Sequence, residues 1–452
     1  MKKCNFPLLV LCFVFMVPTG CIKERPGNGF PGKNPGGKNT PPGFLSTGEV
    51  PLSWFSLAIR LVRTTPGHTG PVAARSFGYM GLALYESIAP QNPPFRSLQT
   101  QLNHLPVLPG PIRNKGYIDA IVANACLANM VHHMFGNASP AQNATIDSLE
   151  NDFNARYKSF ISGFEFQEAE NEFTRSVQFG QNISNAIYQW STTDGGDKAY
   201  ANPFPADYIP PVGAGIWAPL PGQAAQNSHW GDNRTFIPGI VNQTQPILPP
   251  AYSTDHQSEM YKEELEVYNE SVNQDPEHRT IALYWAAIPP PAVSVSILGA
   301  VLRDKAASLF SAALAYCKLG IAISDAMVSC YKTKYTFNQE RPISYIRANI
   351  NAGWTSLLPT PPFPDYTSAH SVQTGAAAWV LADIFGDNTT FTDYSINDLG
   401  FTPRSFSKFS DYANEVGLSR IYGGIHLRSS DFIGLAQGNK VGKLVSLIKF
   451  KN

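Results

Sequence analysis

Residues 293–330 constrain the fold more than any other stretch. Apolar and small side chains recur there at helical spacing, over far more chain than one strand uses. The same period marks residues 71–88, where Pro71 suits a first helical turn, then residues 117–135, and residues 143–190 with an interruption near Ser162 and Gly163. Further helices are predicted over residues 254–287, from about Ser368, over residues 405–418 and over residues 431–448. Strand-like alternation is scarce and no internal repeat is visible. The predicted fold class is therefore all-α, a helical bundle forming one large domain over residues 51–452. Residues 191–253 depart from the pattern: their Pro, Gly and Asn content, as in GIWAPLPG and HWGDNRTF, predicts a long ordered excursion rather than a helix.

The chain carries 34 basic and 34 acidic residues, and only 15% of its 452 residues are charged. A nucleic-acid partner requires a clustered positive field, so none is expected, and any positive charge that matters is local. An apolar share of 43% suffices for a substantial core.

The N-terminus, MKKCNFPLLVLCFVFMVPTGC, places Lys2 and Lys3 before a short apolar run that leads through small residues to Cys21. This is the shape of a secretory signal, too short to span a bilayer. Its Thr-Gly-Cys ending resembles a bacterial lipoprotein cleavage site. That resemblance implies a signal peptide over residues 1–20, lipidation of Cys21, and an exported protein anchored to a bacterial membrane, periplasmic or surface-facing. An ordinary cleaved signal also leads out of the cytoplasm. Residues 21–50 are rich in Pro, Gly and Asn and too poor in apolar groups to fold, so a flexible tether is expected. Cys126, Cys317 and Cys330 lie in apolar helical contexts without metal-ligand spacing. Buried thiols are the ordinary reading, and export would also permit a disulfide between two of them.

Three segments carry chemistry. In YKTKYTFNQERPISYIR, Lys334 and Arg341 would lie close to two turns apart if the preceding helix continued, both facing one side. Pro342 ends that continuity by Glu340 or Arg341. In PPFPDYTSAHSVQTGAAAWVL, Ser368 and His370 stand where a small-residue helix begins, and free N–H groups with a positive dipole end favour an oxyanion. In GLSRIYGGIHLRSSDFIG, Arg420 and His426 bracket Gly423 and Gly424, which permit a tight bend. Taken singly, a solvated basic face, a capped helix and a surface turn explain each segment.

Together and in this order, Lys-x6-Arg-Pro, Ser-Ala-His and Ser-Arg-x5-His resemble the phosphate-binding signature of the type 2 phosphatidic acid phosphatase and vanadium haloperoxidase superfamily. PPFPDY and YGGIH look like its vanadium chloroperoxidase-related branch, and PVAARSFGYMGLALYE and HWGDNRTF resemble segments of bacterial members. The detailed resemblance covers residues 331 to about 434, and a weaker one reaches back to Pro71. It implies the helical bundle of that superfamily, with Lys334, Arg341 and Arg420 on the equatorial oxygens of a tetrahedral anion. Ser368 and the Ala369 N–H would add hydrogen bonds. His370 would be the acid–base residue, and His426 would bond the central atom.

In a haloperoxidase the cofactor would be vanadate, bonded through His426, and the partners hydrogen peroxide and halide. In a phosphatase no cofactor is needed, and His426 would attack the phosphorus of a phosphate ester while His370 protonates the leaving oxygen. Tyr331 and Phe363 fall where the chloroperoxidase branch has aromatic residues on the halide side, which favours the haloperoxidase. A non-catalytic surface lipoprotein is the competing class, but a glycan binder has no need of this set of cations and histidines. Two positions depart from the family pattern. Ala369 replaces the usual Gly between Ser and His, and Ser430 stands four residues after His426, where many members have Asp, with Asp431 one place later. The partner that orients His426 is therefore left open.

Overall fold

The computed structural model describes residues 43–161, 166–273 and 275–451. The expected signal peptide, Cys21 and most of the expected tether lie outside these residues. The tether was expected to extend to residue 50, but residues 43–50 pack against the bundle. Gly43–Leu45 form a 3-10 turn, and Phe44 and Val50 are fully buried. Phe44 packs against Phe153 at 5.5 Å, beneath the Arg156 guanidinium, and this aromatic contact anchors the chain before residue 50.

Among the described residues there are fourteen α-helices and one two-stranded sheet. The helices are α1 (Glu49–Thr64), α2 (Gly70–Ile88), α3 (Asp119–Met134), α4 (Pro140–Ile161), α5 (Phe166–Ser191), α6 (Ile240–Gln243) and α7 (Glu259–Asn273). They continue with α8 (Pro276–Ala286), α9 (Pro290–Asp304), α10 (Leu309–Phe337), α11 (Pro342–Asn349), α12 (Ala369–Phe385), α13 (Phe409–Tyr422) and α14 (Arg428–Ser446). Strands β1 (Phe391–Asp393) and β2 (Arg404–Phe406) pair antiparallel, with Phe391 opposite Phe406. The all-α expectation holds.

Helix α10 is the axis of the bundle, packed by α2 on one side and by α12 and α14 on the other. It is long and apolar enough to cross a membrane, yet 94% of its apolar stretch is buried inside the protein, the position of a core helix. Close approach to α2 is secured by small residues: a Cβ on Gly81 would meet the Tyr316 carbonyl oxygen at 2.4 Å. Helices α12 and α14 approach as closely, and a Cβ on Gly438 would stand 2.1 Å from the Val372 carbonyl oxygen. Their N-termini are thereby brought side by side. Cys126, Cys317 and Cys330 are free and buried, without a disulfide between them.

Several boundaries differ from the sequence reading. The helix expected over residues 254–287 is two, because Pro276 offers no N–H and Asp275 caps α8 by accepting from the amides of Glu277 and His278 at 2.8 and 3.1 Å. The one expected over residues 293–330 is broken at Ala306, whose φ is +46°, and Ser308 caps α10. Lys334 and Arg341 do not share a helix. Asn338 takes the left-handed conformation that ends α10, and Arg341 sits extended at the N-cap of α11.

Candidate active site

Each segment singled out in the sequence is turned inward by a local device. Lys334 lies in the last turn of α10 and is fully buried. Arg341 precedes Pro342, which keeps its backbone extended, and it is buried. The proline-stiffened segment Pro361–Pro364 then carries Phe363, Asp365 and Ser368 to the start of α12. Arg420 lies in the last turn of α13. The turn that follows requires glycine: Gly424 has φ +75°, and a Cβ on Gly423 would clash with Leu358 at 2.4 Å. That turn returns the chain with His426 pointing inward just before α14.

These residues meet. Arg341 Nη1 lies 3.1 Å from His426 Nε2 and donates to the Ile425 carbonyl at 2.7 Å, while Nε donates to the Phe363 carbonyl at 2.8 Å. Lys334 Nζ donates to the carbonyls of Pro364 and Asp365, both at 2.8 Å. Arg341 Nη2 and Arg420 Nε and Nη1 are buried and have no partner in the protein. Buried guanidinium donors are costly unless an anion meets them. The Phe363 ring lies 4.9 Å from the Arg341 guanidinium carbon, 5.0 Å from Lys334 Nζ and 5.5 Å from the Tyr331 ring. Both aromatic candidates therefore border the cations, Tyr331 buried and Phe363 partly exposed.

At the start of α12, Ser368 is the N-cap residue and accepts from the Ser371 amide at 3.4 Å. Its own amide donates to the Ser430 carbonyl at 3.0 Å, tying α12 to α14. Through Ser430 and Asp365, the capped turn is tied to the segment that receives Lys334. Ala369 opens the helix and is nearly buried. His370 in the same turn keeps some solvent exposure as a residue, while its imidazole is set among protein atoms.

The electrostatics record the crowding of positive charge. Burial, then Arg420 and His426, hold the His370 imidazole well below its ordinary value, although the Trp285 carbonyl opposes this. Burial, then Arg341, Lys334 and Arg420, do the same to His426. Burial pulls Lys334 down from the usual ammonium range, with Arg341 adding to it, and burial lowers Arg420 to about 10. Each of these shifts disfavours the charged form, and an anion among these groups would oppose it.

Sequence reasoning missed the carboxylate of Asp365 and named Asp431 without giving it a role. Asp365, fully buried, places Oδ1 2.8 Å from His426 Nδ1, off the axis of a hydrogen bond, and 3.7 Å from Arg341 Nη1. Asp431, also fully buried, accepts from Ser371 Oγ at 3.0 Å and lies within electrostatic reach of Arg420. The only available signal was their nearness in sequence to the motif. The excursion over residues 191–253 packs on the segments that carry the site. Trp217 N donates to the Asn338 carbonyl at 2.7 Å, Gln226 N to the Pro362 carbonyl at 2.9 Å, and Tyr366 Oη to the Ile247 carbonyl at 2.6 Å.

The donor set fits a tetrahedral oxyanion: unpartnered guanidinium nitrogens from two arginines, a buried ammonium, and an imidazole nitrogen among them. Among the described residues, no three His, Cys, Asp or Glu side chains are arranged to hold a bare metal ion.

Comparison with known proteins agrees with the geometry. Residues 315–449 match the family model of the VCPO second helical-bundle domain. No curated protein matches the chain significantly. Among solved structures, the first bacterial vanadium-dependent iodoperoxidase is 30% identical, with a TM-score of 0.78, over 92% of this chain and 99% of that one. A bacterial vanadium-dependent chloroperoxidase in its holo form is 14% identical, with a TM-score of 0.64 over 85% of this chain and 93% of that one. Its apo form is 15% identical, with a TM-score of 0.62 over 86% and 96%. At that identity the chloroperoxidase establishes likeness of fold alone.

Proposed function

Because the chain belongs to the vanadium haloperoxidase superfamily, we propose that it is a vanadate-dependent haloperoxidase and that iodide is its halide. The observation that carries this proposal is the buried contact of Arg341 with His426, flanked by guanidinium nitrogens without partners. It occurs in a chain whose likeness to a vanadium iodoperoxidase spans 99% of that protein.

In this reading, Lys334, Arg341 and Arg420 would hold the oxygens of vanadate, and His426 Nε2 would hold its central atom. When bound, vanadate supplies a Lewis-acidic centre at which hydrogen peroxide is activated. The net reaction turns hydrogen peroxide, iodide and one proton into hypoiodous acid and water.

The protein's part is electrostatic and positional. The three cations offset negative charge in a site from which water is largely excluded. His370, kept neutral by burial and by Arg420, is free to take a proton from peroxide and return one to the departing hydroxyl. The Phe363 ring, lying against both Lys334 and Arg341, gives halide an apolar approach to a cationic site.

The test incubates purified protein with vanadate, hydrogen peroxide and iodide, and in parallel with a phosphomonoester and no vanadate. Vanadate-dependent iodide oxidation without ester hydrolysis is the expected result. Ester hydrolysis without iodide oxidation would assign the cage to phosphoryl transfer instead.

A further inference from the structure

The family pattern leaves His426 without the carboxylate that commonly follows four residues later, since Ser430 stands there. A histidine that bonds a metal centre through one nitrogen needs the other held by an acceptor, which fixes both ring orientation and tautomer. Ser430 Oγ donates its proton to the Asp365 carbonyl at 3.0 Å and keeps a lone pair for His426 Nδ1 at 3.3 Å, a long hydrogen bond to a neutral group that brings no charge to the imidazole. Asp431 is committed elsewhere, to Ser371 and Ser368 at the start of α12 and to Arg420.

We infer that Asp365 is the positioning residue of His426, a carboxylate delivered from the segment before α12 in place of the one absent after the histidine. Its Oδ1 is 2.8 Å from Nδ1 and 3.7 Å from Arg341 Nη1. The residue is held from every side by the cage it serves. Its carbonyl receives Lys334 Nζ at 2.8 Å and Ser430 Oγ at 3.0 Å, and its amide donates to the Gln339 carbonyl at 2.9 Å. The contact is off the axis of a hydrogen bond and acts through charge: a carboxylate this close favours the proton on Nδ1, where Ser430 Oγ accepts it, and leaves the Nε2 lone pair facing Arg341. It also offsets part of the charge of Arg341 and Lys334 where no water can. The five-residue span from Phe363 through Asp365 to Thr367 therefore does two jobs, bordering the halide side with its first residue and aiming the histidine with its third.

This inference rests on the haloperoxidase reading for its effect on vanadate, but not for its effect on the imidazole. Nitrogen-15 NMR of the vanadate-free protein, with His426 assigned through its loss in His426→Gln, is expected to find the Nδ1–H tautomer. A wild-type His426 carrying its proton on Nε2 would overturn the inference whatever the variants do.

Asp365→Asn is expected to mix the tautomers and to weaken binding of inorganic vanadate by about 10- to 100-fold, with the iodide KM little changed. Adding Ser430→Asp to that variant restores a carboxylate at the family position and should recover most of the affinity. Wild-type tautomer and vanadate affinity in Asp365→Asn would count against the role. So would a loss of affinity that comes with an unchanged tautomer and no rescue, since that pattern marks a merely structural residue. Failure of the wild type to oxidise iodide would sink the haloperoxidase reading and leave the tautomer result standing.

Discussion

Arg341 and His426, 85 residues apart in sequence, stand 3.1 Å apart in the core with His426 only 2% exposed. Burial and then Arg341 hold the imidazole neutral, so its Nε2 lone pair faces a guanidinium that donates to it. An oxyanion beside the pair would meet the guanidinium nitrogens of Arg341 and Arg420 that have no partner in the protein.

His426→Ala follows from that relation. Vanadate affinity is expected to fall by at least about 100-fold, ~2.7 kcal/mol, and peroxidase turnover with it, while the melting temperature changes little. Equilibrium dialysis against vanadate measures the first effect. Wild-type turnover in the variant would remove His426 from the centre of the site.

His370→Ala should behave differently. It lies in the first turn of α12 and takes no part in the Arg341–His426 contact. Loss of a general acid–base group costs about 100- to 10,000-fold in turnover, and vanadate affinity should stay within severalfold. If affinity collapsed and turnover at saturating vanadate survived, the two histidines would have exchanged roles.

How much of this was legible in the sequence depends on what fixes each feature. The cage was legible because Lys334, Arg341, Ser368, His370, Arg420 and His426 are unusual residue types at fixed spacings, and the device that gathers them, Gly423–Gly424, is itself a sequence signal. Asp365 was not, because an Asp between Pro364 and Tyr366 reads as an ordinary loop residue until α14 closes beside it. The break at Ala306 escaped for a similar reason: a non-glycine residue in the left-handed region is imposed by packing, not by propensity. Helix α1 was hidden behind the Pro/Gly composition of the preceding residues, although Pro51 is well placed in its first turn.

Anion binding should take up protons. Burial, and after it the neighbouring Arg341, lower Lys334 from 10.5, so a fraction of free protein carries a neutral amine as the pH rises into that lowered range. A bound anion favours the ammonium, so affinity falls with rising pH and binding withdraws protons from the buffer. Calorimetry of tungstate binding at pH 8 in buffers of different ionisation heat reads the uptake directly. Lys334→Arg, whose guanidinium does not titrate there, should reduce it; equal uptake in the variant would place the proton elsewhere.

The close approach of α12 and α14 predicts a stability effect remote from the chemistry. Gly438→Ala would press a methyl group to 2.1 Å from the Val372 carbonyl oxygen, and the backbone on both sides leaves no flexible atom to yield. Separation of the two helices should cost roughly 1–3 kcal/mol or more, read as a lower urea midpoint. It should also weaken vanadate binding, because the same pair of helices sets Ser368 beside Ser430. An unchanged midpoint would mean that the helices part without penalty.

His68 makes acid stability testable far from the cage. Its ring stacks on Phe135 at 4.5 Å and on Tyr200 at 5.5 Å, and Nε2 meets Asn137 Oδ1 at 3.2 Å. Burial lowers its pKa from 6.5 to about 4. Between those values the unfolded chain binds the proton and the folded chain does not. Stability from this group is therefore complete above pH 6.5, falls as the pH drops through the window, and levels off below about pH 4. From pH 7 to 4.5 the expected loss is about 2.5 kcal/mol. Buried carboxyls act in the opposite sense, Glu86 for example being pushed up to about 7 by burial, but they cancel when wild type is compared with His68→Gln. Urea midpoints of the two proteins at pH 7 and 4.5 should converge toward acid. A constant gap between them would mean that the His68 imidazole is protonated in the folded protein as readily as in the unfolded chain.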